Sequence, residues 1–168
     1  VGMGEYALSE ATTASNNTAI GASAMTANTS GTENVAVGAG ALDAVNTGSG
    51  NTAIGRNSLG ANTSGTPNTA VGYNALAANT TGNDNVAVGG YALDANTTGS
   101  ANTAIGRTAL SASNGSDNVA VGFESMLTNN TGHSNTAVGR KSLKLNTDGV
   151  QNVAVGTFAL GANTTADN

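Results

Sequence analysis

The motif Asn-[Thr/Val]-Ala-[Ile/Val]-Gly starts at residues 17, 34, 51, 68, 85, 102, 118, 135 and 152, a spacing of 17 residues with one step of 16. A repeat this regular restricts the chain to architectures in which each unit rests on its neighbours, because one unit alone cannot bury an apolar face. Seventeen residues are too few for two helices and a turn, and they suit short strands joined by corners. Val1-Gly2-Met3-Gly4 fits motif positions 2 to 5 of an earlier unit, in which Gly2 replaces Ala, and Asn168 opens a further one. Residues 1–168 therefore read as a single all-β repeat domain of ten coils. The expected fold is a parallel β-solenoid (β-roll) of ten coils of about 17 residues, a rod on the order of 48 Å long with rungs about 4.8 Å apart.

Each coil is numbered from its Asn. Position 4 is apolar throughout, position 5 is Gly, position 8 is Ala or Ser, and position 9 is Leu or Met. The alternation is that of a strand, with positions 2 and 4 expected to point inward and position 9, on a second short strand, expected to face them. The position-5 glycine supplies a bend, and stretches such as Asn79-Thr80-Thr81-Gly82 make the other turn. Positions 3 and 8 would then point away from the coil. Their small size predicts close packing of a second copy, with Ala36, Ala53, Ala70 and Ala87 as candidate contacts between chains. The competing explanation is that tight bends beside the glycine restrict these side chains. With only three sizeable inward residues per coil, a lone rod has a thin core, which favours the oligomer.

The asparagines fall into columns. An amide carries both a donor and an acceptor, so it can bond its equivalent one rung above and below. Asn34, Asn51, Asn68, Asn85 and Asn102 are expected to form such a structural ladder, and a second column runs through Asn28, Asn62, Asn79, Asn96, Asn129, Asn146 and Asn163.

A net charge of −5 with only five basic residues argues against a nucleic-acid partner or an anionic membrane surface. No apolar run approaches the roughly 18 residues of a spanning helix, so no membrane insertion is expected. The chain has no cysteine, hence no disulfide framework or thiolate metal site. The only histidine, His133, lacks a second ligand nearby in sequence. No calcium loop or phosphate loop is present. Asp43 and Asp94 share position 10 but lie three coils apart, roughly 14 Å. No catalytic, cofactor or metal site is expected, and the chain is not expected to be an enzyme.

Positions 6 and 7 hold the largest and most varied residues, among them Tyr6, Arg56, Glu124, Lys141 and Phe158. Tyr73, Tyr91, Arg107, Phe123 and Arg140 make a candidate ligand ridge, because aromatics beside polar groups can stack on sugars; a variable corner or a protomer contact would look the same. Glu124 and Lys141 share position 7 in consecutive coils and should lie side by side. Glu33, Asp84 and Asp117 precede Val-type motifs, whereas Arg56, Arg107 and Arg140 lie in Thr-type coils. This predicts alternating charge along one edge of the rod.

Asn34-Val35-Ala36-Val37-Gly38 and Asn51-Thr52-Ala53-Ile54-Gly55 resemble the head repeats of trimeric autotransporter adhesins. The longer unit, as in Asn68-Thr69-Ala70-Val71-Gly72-Tyr73-Asn74-Ala75-Leu76, is similar to repeats in phage tail-fibre proteins. The resemblance implies a left-handed β-roll, a homotrimer, and an extracellular place on a bacterial cell surface or a virion; the coil here is longer than the usual adhesin head unit. The expected function is a structural repeat segment of an extracellular fibre, acting as a rigid spacer and in attachment. Its partners would be itself, as a homotrimer or by end-to-end stacking, and a cell-surface glycan or matrix protein. Because the coils open inside one motif and stop at the start of the next, the chain is expected to be a stretch of a longer fibre. The alternatives are a self-stacking extracellular filament subunit, an ice-binding β-solenoid, and a carbohydrate-active enzyme built on a solenoid. The second needs a flat outward Thr array, whereas position 2 alternates between Thr and Val. The third needs clustered acids.

Overall fold

Between each Asn and the Gly four residues later the chain is extended, which suits β-branched residues flanking an alanine. A computed structural model describes residues 1–44 and 46–167. Its strands are β1 (Gly2–Met3), β2 (Thr18–Ile20), β3 (Val35–Val37), β4 (Thr52–Ile54), β5 (Thr69–Val71), β6 (Val86–Val88), β7 (Thr103–Ile105), β8 (Ala112–Ser113), β9 (Val119–Val121), β10 (Thr128–Asn129), β11 (Thr136–Val138) and β12 (Val153–Val155). All except β8 and β10 form one ten-stranded sheet in chain order. Every pairing in it is parallel and joins equivalent motif positions, as in Thr52 opposite Thr69 and Ala53 opposite Ala70. The 16-residue step is absorbed without loss of register, with Thr103 opposite Val119. The chain is thus an all-β parallel solenoid of about nine turns with a repeat of about 17 residues. Asn168, read above as the start of a further coil, lies outside the described residues, as does Val45.

The orientation of the strand is the reverse of the one expected. Position 3 points inward: Ala19, Ala36, Ala53, Ala70, Ala87, Ala104, Ala120 and Ala137 are fully buried within the single chain. They pack with position 8 (Ala24, Ala41, Ala75, Ala92 and Ala109) and position 9 (Met25, Leu42, Leu59, Leu76, Leu93, Leu110, Met126 and Leu143). Positions 2 and 4 face outward. Ala36, Ala53, Ala70 and Ala87 are therefore interior residues and cannot be contacts between chains. The reason is volume: one leucine per rung fills the narrow interior and leaves room opposite it for no more than a methyl group. An arginine at Ala70 would break the rung itself rather than loosen an assembly.

The expected second strand at position 9 is also replaced. Residues from position 5 to position 12 run through two stacked turns, with Ala75 N–H donating to the Gly72 carbonyl at 3.3 Å and Asn79 N–H to the Leu76 carbonyl at 3.2 Å. Among the described residues a second ladder is confined to Ala112–Ser113 with Thr128–Asn129 and a bridge between Asn28 and Asn46. In these turns Leu59, Leu76 and Leu93 have φ of 49°, 51° and 53°, a left-handed conformation that costs about 1–2 kcal/mol in a residue with a side chain. Full burial of the leucine returns about 2–3 kcal/mol. Its N–H is also satisfied by the next rung, as in Leu59 to the Ala75 carbonyl at 3.0 Å. At position 5 the backbone does need glycine: Gly72 has φ of 141°, and a Cβ there would lie 2.6 Å from the Gly89 carbonyl oxygen.

Candidate assembly face and charged ridge

The asparagine ladder fixes the rungs on which every surface column depends. Asn34, Asn51, Asn68, Asn85 and Asn102 are all buried. The Oδ1 of each accepts the backbone N–H of the next, as in Asn85 N–H to Asn68 Oδ1 and Asn102 N–H to Asn85 Oδ1, both 3.0 Å. The side-chain nitrogen crosses the interior to a glycine carbonyl in the turn, from Asn85 Nδ2 to Gly99 O at 2.9 Å. The same carbonyl accepts Asn96 Nδ2 from the second column at 3.0 Å. Two members of that second column were not recognised in the sequence. Asn46 sits one residue late in its coil, and Ser113 stands where an asparagine is usual. The missed signal was the glycine that closes the turn: it follows Asn79 and Asn96 by three residues but Asn46 and Ser113 by two.

With position 3 inside, positions 2 and 4 form an outward strip along the whole rod. Ile20, Ile54, Val88, Ile105, Val119 and Val138 are 36–41% exposed, and Val153 and Val155 on the last strand are 66% and 69% exposed. Thr18, Thr52, Thr69, Thr103 and Thr136 lie in the same strip, on strands that alternate with the valines for most of the rod. Ten strands at about 4.8 Å make the strip about 43 Å long, with adjacent columns about 7 Å apart.

One border of the strip is position 6, just after the glycine bend. The ridge residues meet there in two stacks. In the first, Arg56 Cζ lies 5.8 Å from the centre of the Tyr73 ring, and Tyr73 meets Tyr91 edge to face at 5.2 Å. In the second, Phe123 has Arg107 and Arg140 each at 5.9 Å, and Arg140 also lies 5.2 Å from Phe158. Such contacts contribute about 0.5–1 kcal/mol each where exposed. They also cover ring faces that a sugar would otherwise use. Lys141 and Lys144 reach Glu124 at 3.6 and 2.9 Å, so Glu124 and Lys141 are rung neighbours as expected. The hydrogen bond from Lys144, followed by the charges of both lysines, holds the Glu124 carboxyl below its ordinary value. Hydrogen bonding between Tyr91 and Tyr73 raises the Tyr91 hydroxyl above its usual range. All five basic residues occupy this corner, at positions 6, 7 and 10.

The other border is the residue just before the Asn, where Glu33, Asp84 and Asp117 are exposed. They do not share an edge with Arg56, Arg107 and Arg140. The strand lies between the two columns, so the expected alternation along one edge is not formed. Among the described residues the ion pairs are those of Glu124 with Lys141 and Lys144.

His133 is exposed, and its ring Nδ1 lies 3.3 Å from the neighbouring Ser134 hydroxyl. Among the described residues no three His, Cys, Asp or Glu side chains converge on a point that could hold a metal, and no helix is long and apolar enough to cross a membrane. No family model, curated protein or solved structure matches this chain.

Proposed function

We propose that the chain is a structural repeat segment of an extracellular fibre, a rigid spacer that assembles side by side with copies of itself through the outward strand face. The carrying observation is that face. Nine rungs present Ile or Val at position 4 in the same orientation, and the first presents Met3, with charged columns bordering both sides. The position-4 column is an exposed apolar stripe running the length of the rod, and a contiguous exposed apolar stripe marks an interaction surface. The resemblance to adhesin head repeats supplies the number of copies, three, the left hand of the coil, and the bacterial surface or virion as location. Packing three rods with their strand faces toward a common axis leaves the turn side of each rod, and part of the aromatic ridge, open for attachment to a cell-surface glycan or matrix protein.

Light scattering on the purified chain tests this: a trimer mass at micromolar concentration is expected, and Val71→Lys with Val88→Lys should return it to the monomer. A wild-type chain that stays monomeric at high concentration would sink the reading. The outward threonines support one second reading, an ice-binding face, since Thr and β-branched residues form a flat grid about 7 by 4.8 Å. That use requires the face to be free. A monomer that shows thermal hysteresis would establish the ice-binding reading instead.

A further inference from the structure

The two charged columns that border the strand face carry the same spacing. Glu33, Asp84 and Asp117 are 51 and 33 residues apart, and so are Arg56, Arg107 and Arg140. Each arginine follows its acid by 23 residues, which is one crossing of the strand plus one 17-residue coil. All six side chains are exposed. Before the coils that start at residues 17 to 152, the other residues of the acid column, Asn16, Gly50, Pro67, Ala101, Ser134 and Gln151, are uncharged. On the arginine column the only other charge is Glu5, in the first coil. Within one chain the two sets cannot meet, because the extended strand holds them roughly 15–20 Å apart.

We infer that these columns are the two halves of a register code between copies of this chain, fixing them parallel and level along the rod. The inference rests on self-association through the strand face. Two solenoids can pack those faces in two ways. If the rods run parallel, related by a rotation about the rod axis, the acid column of one copy borders the arginine column of the next. If they run antiparallel, acid borders acid and arginine borders arginine. The sequence pattern suits the first arrangement and opposes the second.

Rotation about the rod axis allows no sliding, so each arginine then stands one rung, about 4.8 Å, from its acid on the neighbouring copy. A flexible arginine side chain spans that step. The pairs Glu33–Arg56, Asp84–Arg107 and Asp117–Arg140 form together only at this level. A slip by any other whole number of rungs breaks all three at once or leaves at most an isolated pair, because the spacing is three rungs and then two.

Charge reversal tests the code. E33K/D84K/D117K and R56E/R107E/R140E should each self-associate at least about tenfold more weakly than wild type at low salt, and the variant with all six changes should associate as wild type does. All six positions are on the surface, so the solenoid should persist in each variant, which circular dichroism checks. A geometric readout is independent of affinity. The chain has no cysteine, so Asp84→Cys with Arg107→Cys can form a disulfide only between copies. Oxidation should give covalently linked chains in high yield, whereas Asp84→Cys with Arg56→Cys, two rungs apart in the opposite direction, should not. Unchanged association of both triple variants, or equal cross-linking of the two cysteine pairs, would overturn the register code while leaving assembly through the strand face standing. A monomeric wild type would remove both.

Discussion

The two asparagine columns use the same side chain in the same rod, yet one is continuous and the other is broken twice. At position 1 the link passes from Asn17 to Asn152 without a gap, and it survives the 16-residue step, where Asn118 N–H still reaches Asn102 Oδ1 at 3.1 Å. In the second column the amide chain runs from Asn96 to Asn79 at 2.9 Å and on to Asn62 at 3.0 Å. It stops between Asn28 and Asn46 and again between Asn96 and Ser113, leaving the Oδ1 atoms of Asn28 and Asn96 buried without a partner. The difference lies in what each link carries. At position 1 the Oδ1 satisfies a buried backbone N–H at the start of the next strand. In the second column the backbone N–H is already bound within its own turn, as Asn79 is to Leu76, so a lost link strands only a side-chain acceptor. The two breaks coincide with the two coils whose turn is one residue short. The solenoid keeps its strand register rigid and absorbs changes of length at the far corner.

Substitutions can break this contrast. Asn85→Ala removes the acceptor of Asn102 N–H and the cross-rod bond to Gly99, and should cost about 3 kcal/mol in denaturant unfolding. Asn79→Ala leaves Asn96 Nδ2 still bound to Gly99, and should cost about 2 kcal/mol or less. Equal losses at the two sites would contradict the distinction. Ser113→Asn offers a donor to the stranded Asn96 Oδ1 and should raise stability by about 0.5–1 kcal/mol. Destabilisation there would mean that the shortened turn, rather than the missing amide, sets the break.

The smallest effect is expected at Glu124. Lys144 and Lys141 depress its folded pKa below the ordinary 4.5. Its contribution is therefore present above that ordinary value and is lost as pH falls through the lower folded one. The stability difference between wild type and Glu124→Gln should be small at pH 7, shrink below pH 4.5 and vanish in high salt. A difference that grew on acidification would reverse the sign assigned to the pair.

The repeat length, the parallel stacking, the ladder asparagines and the Glu124–Lys141 neighbours were legible in the sequence, because each follows from spacing alone. The facing of the strand was not. Valine and isoleucine at position 4 have the larger side chains, and burying them is the ordinary expectation for a strand. The countervailing signal was that the nearly invariant positions 1, 3 and 5 share one parity, whereas position 2 freely exchanges Thr for Val. Positions that admit no exchange are the enclosed ones. The left-handed leucines gave no signal at all, since leucine ordinarily avoids that conformation and only the stacked turns hold it there. The charged columns were visible as residues, but their meaning depended on knowing that the strand separates them.

Alanine faces the interior of each rod, and in the proposed assembly its β-branched neighbour faces another copy. Since the native chain has no cysteine, Ala87→Cys and Val88→Cys report on this directly through their rates of reaction with a maleimide. Cys at 87 should react only when the chain unfolds, at any protein concentration, while Cys at 88 should be protected in the assembled protein and become reactive on dilution to the monomer. A thiol at 87 whose reactivity rises with dilution, or one at 88 that is equally reactive at every concentration, would contradict it.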